Sequence, residues 1–235
     1  RIRGEYANAE QYVDASNTKI NEQSIAGFAE YGLKFGAFSA NAGVRYEYVK
    51  SDYYYFGGLQ TEPSRRYSDW FPSASMSWNS DKWALQLAYT CKTQSPSYNS
   101  LRDEVQYDNR YTYEGGNPYL CPCIINNVDL NVVYDWLSFN AGYNYIDKPM
   151  VWIATLYQGK DIVFLRNVNF NNSQDVYVSI VASPRFGWYN PMAEIDYTQS
   201  FLGTDGFDIN KPSNRPCFNF RLNNRFNITP TLKAF

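Results

Sequence analysis

Hydrophobic and polar residues alternate along most of this chain with a period of two, the spacing that predicts β-strands. The clearest run covers residues 38–48. One face carries Phe38, Ala40, Ala42, Val44, Tyr46 and Tyr48, and the other carries Ser39, Asn41, Gly43, Arg45 and Glu47. Ionised groups at such positions would be costly in a dry core, but they cost little in a water-filled lumen or on a solvated sheet face.

A hairpin with unequal ends is predicted around the segment 70–92. Two alternating runs, 70–78 and 83–92, are joined by the four residues 79–82. At the other end, the chain spends about thirty residues in a polar, tyrosine-rich loop that closes at Gly115, Gly116, Asn117 and Pro118, where glycine and proline favour a turn.

Further strands are predicted on both sides of this hairpin. Alternation continues in residues 25–35, 128–136, 139–145, 176–184, 193–197 and 218–228, with a turn at residues 187–191. Residues 150–157 and 162–170 predict a separate hairpin that turns at Gly159 and Lys160 and rises above a membrane. Residues 50–67 and 203–215 are interpreted as loops, 2–13 as a diffuse segment, and Thr229 and Pro230 as a turn.

Tight turns at one end of ten-residue strands and long loops at the other are typical of outer-membrane barrels. Trp70, Trp78 and Trp83 flank a band that contains Met76 and Leu87, as an aromatic belt around a hydrocarbon layer requires. We therefore predict an all-β fold, an antiparallel up-and-down meander forming part of a transmembrane β-barrel. The ten or eleven strands expected are about half of the roughly 22 in a large transporter barrel.

Three short motifs follow one another within residues 70–122. They are Phe71-Pro72, then Pro96-Ser97-Tyr98 with Leu101, then Gly116-Asn117-Pro118 with Leu120 and Pro122. In this order and spacing the segment resembles the barrel of TonB-dependent receptors, outer-membrane proteins of Gram-negative bacteria. The chain departs from the family pattern at two points, with Ser95 where a basic residue is common and Cys123 where an acidic one is usual.

The resemblance implies that residues 1–235 are a partial receptor barrel that lacks the plug domain and the remaining strands. It implies a place in the outer membrane, in contact with lipid, and TonB-dependent uptake of an unidentified nutrient. This chain would supply barrel wall and extracellular loops. TonB would act through an N-terminal region that the chain does not contain, and the ligand would be a small molecule, a glycan or a peptide.

Composition narrows the other possible functions. Aromatic residues make up 18% of the chain and the net charge is −2, so no positive surface for nucleic acid is expected. Histidine is absent, which excludes a serine–histidine triad and the usual hydrolytic zinc site. We predict no enzyme activity, no cofactor and no metal site, and interpret the carboxylates Asp103, Glu104, Asp108 and Glu114 as solvated loop charges. Four scattered cysteines do not define a disulfide.

Ligand capture is assigned to aromatic residues that share the long loop with a basic residue. The predicted set is Tyr107, Arg110, Tyr111 and Tyr113, which could stack on and hydrogen-bond a sugar, siderophore or peptide. A second aromatic run, Tyr53 to Phe56, could stack on a sugar or another flat ligand, and packing of its own loop against its neighbours is the commoner role of such a cluster. The rival interpretation of the whole chain is a secreted or surface β-sandwich that binds glycans through tyrosine platforms.

Overall fold

The computed structural model describes residues 17–204, 214–227 and 233–234. Within these ranges the chain forms fourteen strands, and none of the described segments is a helix long and apolar enough to cross a membrane. The predicted diffuse segment 2–13, most of the predicted loop 203–215 and the turn at Thr229 and Pro230 lie outside the described residues. The strands are β1 (Thr18–Phe35), β2 (Phe38–Tyr55), β3 (Gly58–Asn79), β4 (Trp83–Gln94), β5 (Val105–Asn109), β6 (Thr112–Gly115), β7 (Cys123–Tyr134), β8 (Leu137–Asp147), β9 (Met150–Leu156), β10 (Val163–Asn169), β11 (Asn172–Ala182), β12 (Tyr189–Gly203), β13 (Cys217–Asn227) and β14 (Lys233–Ala234).

Ten of these strands form one antiparallel sheet in the order β1-β2-β3-β4-β7-β8-β11-β12-β13-β14. Neighbours in the sheet are therefore neighbours in the chain once β5, β6, β9 and β10 are set aside. This confirms the predicted antiparallel up-and-down meander. In the part of the chain that the structure describes, the sheet is open, with β1 and β14 at its two edges.

Short turns lie at one end of the sheet. The β1–β2 turn contains Gly36 with φ 57°, and the β7–β8 turn contains Asp135 with φ 48°. Both are left-handed conformations, which glycine adopts freely and aspartate tolerates better than most residues. At the opposite end the connections β4–β7 and β8–β11 run through the four remaining strands, so the long loops share one side.

One face of the large sheet is apolar across its width. A single cross-strand row joins Ala40, Met76, Leu87, Leu130, Ala141, Val178, Tyr197 and Phe218. The next row toward the short turns includes Ile180, Ile195 and Phe220, and Phe220 is 68% exposed. No second sheet covers this face within the described residues. The rival β-sandwich interpretation is therefore wrong, because a sandwich would seal these side chains between two sheets.

Aromatic side chains border this apolar face at both ends of the strands. Trp83 and Tyr134 pair near the short turns with ring centroids 4.4 Å apart, and Tyr46 and Trp70 pair toward the long loops at 4.8 Å. Trp70 and Trp78 are eight residues apart in β3, which is about 26 Å of strand. That length suits the roughly 25 Å apolar band of an outer-membrane barrel.

The opposite face of the sheet is polar and its side chains bond to one another. Arg221 and Glu194 form an ion pair across β13 and β12 at 2.5 Å, and Asn127 Nδ2 donates to Asn144 Oδ1 at 2.5 Å. Beside them, the Tyr177 hydroxyl donates to Asp129 Oδ1. Its ring crosses β8 over Gly142, where a Cβ atom would overlap the ring. The glycine is thus required by close approach and not by its backbone angles.

The structure corrects the predicted loop over residues 50–67. β2 continues to Tyr55 and β3 begins at Gly58, so the two strands turn tightly at Phe56 (φ 47°) and Gly57 (φ 82°). Tyrosines in this region are good strand formers, and they pair on both sides, Tyr53 with Ile20 and with Gln60. As a result, Trp70 lies inside a 22-residue strand and not at its end.

The predicted hairpin of residues 150–170 is confirmed, with Gln158 and Gly159 in positive φ at its turn. It forms a second sheet in the order β5-β6-β10-β9. The β6–β10 pairing is parallel, the one exception to the antiparallel pattern among the described strands. This small sheet lies at the end of the large sheet that carries the long loops.

Candidate ligand-binding loops

The long loops pack onto the polar face of the wall. Most of the fully buried side chains of the described chain lie here rather than on the membrane face. Val49, Tyr53 and Phe71 come from the wall, and Leu101, Tyr113, Leu120, Cys123, Val168 and Phe170 come from the loops and the strands next to them. Leu101 belongs to the second of the three sequence motifs and Leu120 to the third, so those two motifs supply the apolar core beneath the loops.

Two asparagines tie the loops to each other. The Asn117 side chain donates from Nδ2 to the carbonyl of Asn167 at 3.0 Å, while its backbone N–H donates to the Ser100 carbonyl at 2.7 Å. Asn169 accepts from the Cys121 N–H at 2.8 Å and donates back to the Cys121 carbonyl at 3.0 Å. The β4–β7 and β8–β11 connections are therefore one body.

Arg65 joins this body to the wall. Its Nη2 donates to the Pro118 carbonyl at 2.5 Å. Burial lowers the pKa of the Arg65 guanidinium from its usual value, an effect that nearby Cys121, Tyr67 and Glu22 oppose. The guanidinium is not deprotonated in proteins, so Arg65 holds the Gly-Asn-Pro motif by a charge-assisted hydrogen bond.

The paired glycines before Asn117 are explained by crowding. A Cβ atom on Gly115 would overlap the Phe164 ring, and one on Gly116 would overlap the backbone of Arg102. The motif thus folds as a tight crossing of three segments. A side chain at Gly115 would displace the Phe164 ring, and one at Gly116 would push the chain away from the Arg102 backbone.

The four predicted ligand-binding residues fall into two groups. Tyr113 is 6% exposed, and its ring lies 5.8 Å from Tyr107 and 5.0 Å from Tyr157. These rings pack β5 and β6 against the β9–β10 hairpin. By contrast, Tyr111 is 61% exposed at the hairpin tip, with the Arg110 guanidinium 4.8 Å from its ring centre. Of the four residues, Arg110 and Tyr111 are the exposed ones.

The carboxylates of the long loop are separated by the fold. Asp108 accepts a hydrogen bond from its neighbour Asn109 at 3.0 Å, and Glu114 pairs in register with Gln106 and Leu165 within the small sheet. Asp103 lines an open cleft with Tyr53 and Tyr119. Across the described residues no three His, Cys, Asp or Glu side chains are grouped as metal ligands.

Sequence reasoning did not single out that cleft. Its lining residues come from the β2–β3 turn and from the loop around Pro118, which are about sixty residues apart in the chain. The one signal in the sequence is the aromatic run Tyr53 to Phe56, for which packing within its own loop was the preferred interpretation. Tyr53 is indeed buried, and Tyr55 and Phe56 pack edge to face at 4.7 Å.

Replacing Leu120 with alanine is expected to loosen the loop body. Leu120 is fully buried, and removing a buried leucine side chain costs about 2–5 kcal/mol. Limited proteolysis should then cut within residues 95–122 at least tenfold faster than in the wild type. Leu59→Ala, at an exposed position of the β2–β3 hairpin, is the matched control and should leave the cleavage rate unchanged.

The cysteines offer a second check on this packing. All four are free thiols, and burial raises the pKa of the Cys123 thiol. A smaller fraction of the Cys123 side chain is therefore thiolate at pH 7.5 than for an unburied cysteine. N-ethylmaleimide should label exposed Cys217 well before Cys123. The Cys123 rate should increase as the pH rises toward its pKa, and in urea the two rates should converge. Equal labelling of the two cysteines in the folded protein would contradict the buried position.

Comparison with known proteins places the chain by sequence. The family model described as "Outer membrane protein beta-barrel family" matches residues 3–235, nearly the whole chain. No curated protein sequence matches.

Solved structures resemble the fold at low sequence identity. The copper transporter OprC superposes with a TM-score of 0.61 at 13% identity over 88% of this chain. The FrpB iron transporter from Neisseria meningitidis (F5-1 variant) gives 0.55 at 14% over 83%. The siderophore receptor PirA from Pseudomonas aeruginosa gives 0.54 at 12% over 93%. The chain spans 33%, 29% and 47% of the lengths of those three proteins.

An uncovered apolar band, a bonded polar face and short turns on one side all suit a protein embedded in the outer membrane. With the match over residues 3–235, the chain belongs to the outer membrane protein β-barrel family.

Proposed function

We propose that this chain forms wall and extracellular loops of a TonB-dependent receptor that imports a small-molecule, glycan or peptide nutrient. The observation that carries the proposal is the pair of opposed faces. A lipid-facing band lies on one side of the sheet, and the loop body is anchored on the polar, lumen-facing side through Arg65. A wall of this kind presents its loops to ligands outside the cell while its other face stays in lipid.

Three sources support the choice of a receptor. The motifs at residues 71–122 resemble those of TonB-dependent receptors, and their leucines form the loop core. Proteins of similar fold are named as copper or iron transporters and a siderophore receptor. The exposed Arg110–Tyr111 pair offers a cationic and aromatic contact at a loop tip.

Uptake measurements in the native bacterium test the proposal. Cells are offered labelled ferric siderophores, copper complexes, oligosaccharides and peptides, and depletion from the medium is followed. Deleting the gene should abolish uptake of one class, deleting tonB should do the same, and a plasmid copy should restore it. Uptake of every class at wild-type rates without the gene, or a dependence on the gene that persists without TonB, would overturn it.

A further inference from the structure

A cleft opens between the tip of the β2–β3 hairpin and the Pro118 segment of the loop body. Its volume is about 340 Å³, within the roughly 300–1,000 Å³ of small-ligand sites. The side chains that give it chemical character are Tyr53, Tyr55, Gln60, Glu62, Asp103 and Tyr119. It faces the lumen side of the wall, because Tyr53 shares that face with Val49 and Ser51.

The walls of the cleft are fixed before any ligand arrives. On the hairpin side, Ser64 Oγ accepts from the Tyr53 N–H at 3.0 Å and donates to the Gln60 carbonyl at 2.5 Å. On the loop side, the Tyr119 N–H donates to Asn117 Oδ1 at 3.0 Å, and Arg65 holds Pro118. A preformed site spends little of its binding energy on ordering its own side chains.

Tyr119 provides the open aromatic surface. It is 60% exposed, although its backbone is held by Asn117. Exposed tyrosine rings packed at the edge of a concave site are suited to the apolar C–H face of a sugar ring, while the hydroxyl makes polar contacts. Tyr53 and Tyr55 also line the cleft, and Tyr53 is the buried one of the two.

The charges of the cleft select against anions. Glu62 and Asp103 are its two ionisable side chains other than tyrosine, and no lysine or arginine is found among the described residues that line it. Carboxylates only accept hydrogen bonds when ionised. They therefore suit ligand hydroxyl groups, and Gln60 and Thr61 add groups that both donate and accept. A carboxylate-rich metal chelate would be repelled by the same side chains.

This separates the cleft from the Arg110–Tyr111 tip. The tip carries a positive charge on an exposed convex turn, whereas the cleft is concave and negative. The two places cannot favour the same ligand. Of the two, the cleft offers several converging contacts, which is what specific recognition of a small molecule requires.

We propose that the cleft lined by Tyr55, Tyr119, Glu62 and Asp103 binds a neutral carbohydrate. The site takes one or two sugar rings. Tyr119 packs against the face of a ring, and the two carboxylates accept hydrogen bonds from the ring hydroxyl groups. This rests on the proposed receptor function and names the ligand class for it. Sugar binding and TonB-dependent uptake are tested separately, because the cleft can bind sugar whether or not TonB drives import.

The test is binding of the purified, detergent-solubilised protein to an array of neutral oligosaccharides, with ferric citrate as an anionic comparison. The strongest neutral glycan is then titrated by calorimetry against variants. Tyr119→Ala should weaken binding about tenfold, which corresponds to about 1.4 kcal/mol for a lost aromatic contact. Asp103→Asn and Glu62→Gln should each weaken it severalfold.

Tyr98→Ala is the matched control, since Tyr98 is 63% exposed but does not line the cleft. It should bind like the wild type. No binding to any neutral glycan, tighter binding of ferric citrate, or equal loss in Tyr98→Ala and Tyr119→Ala would overturn the carbohydrate assignment. Loss of binding in Arg110→Ala and Tyr111→Ala but not in Tyr119→Ala would move the ligand to the hairpin tip. In each of these cases TonB-dependent uptake would still be decided by the measurement in cells.

Discussion

Replacing Gly142 with alanine should destabilise the wall by about 1–3 kcal/mol. The new methyl group would overlap the Tyr177 ring, and overpacking of this kind costs about 1–3 kcal/mol. If the ring moves away instead, its hydrogen bond to the Asp129 carboxylate is lost, at a cost of about 1.5–3 kcal/mol for a bond to a charged group. Urea unfolding of the protein in lipid vesicles, followed by tryptophan fluorescence, measures the change.

Two further variants show whether the Tyr177 ring is the cause. Gly27 lies within β1 and a Cβ atom there would meet nothing within 4 Å, so Gly27→Ala should be neutral or stabilising by up to about 1 kcal/mol. In a protein that already carries Tyr177→Ala, adding Gly142→Ala should cause no further loss of stability. The same penalty with and without the Tyr177 ring would show that the explanation is wrong.

Placing arginine at Leu87 should cost about 1–3 kcal/mol, because the penalty for a cation facing lipid is about 2–4 kcal/mol at the membrane midplane and falls toward the interfaces. Leu87 lies between Met76 and Leu130 in the apolar row. The neighbouring position Gln86 is also exposed but belongs to the polar face, so Gln86→Arg should cost less than about 1 kcal/mol. Refolding yield into vesicles and the urea midpoint of the inserted protein report the difference.

This pair of variants separates a membrane protein from a water-soluble one. In water both positions are exposed, and surface substitutions usually change stability by no more than about 0.5 kcal/mol. Equal effects of Leu87→Arg and Gln86→Arg would therefore mean that lipid does not cover the apolar face. A large effect at Leu87 alone is the result that the opposed faces predict.

The sequence was sufficient to predict the wall. Alternation along β2 and β3 assigned Val44 and Met76 to one face and Arg45 to the other, and the registers of the sheet keep those assignments across its strands. The short connection at residues 79–82 was equally visible, because it interrupts the alternation between two runs. A period of two is a local property, so one chain shows it without knowledge of its neighbours.

The loops could not be predicted in the same way. Nothing in residues 105–115 indicates that β6 pairs in parallel with β10, some fifty residues later. The extension of β2 and β3 beyond the membrane band was missed because Lys50, Ser51 and Asp52 look like the start of a loop. In the structure, strand pairing on both sides of β2 outweighs that local polarity.

The predicted ligand-binding residues show the same limit. Tyr107, Tyr111 and Tyr113 look alike in sequence, yet the fold buries Tyr113 and exposes Tyr111. The two tyrosines are two residues apart, so a period of two cannot separate them. Tyr111 lies in the β5–β6 turn, whereas Tyr113 lies in β6 and packs against Tyr157 of the β9–β10 hairpin. The cleft at Tyr119 depends on contacts between distant segments, which a single sequence does not encode in any local pattern.

The parallel pairing of β6 with β10 has a mechanical consequence for entry into the lumen. The β4–β7 and β8–β11 connections are joined by the backbone hydrogen bonds of this pairing and by the side chains of Asn117 and Asn169. They therefore cannot move independently of each other. They move as one unit that four chain segments attach to the large sheet. Two of these segments leave β4 and β8, and the other two return to β7 and β11. In the proposed receptor, a solute passing inward would therefore have to displace both connections together or pass beside them.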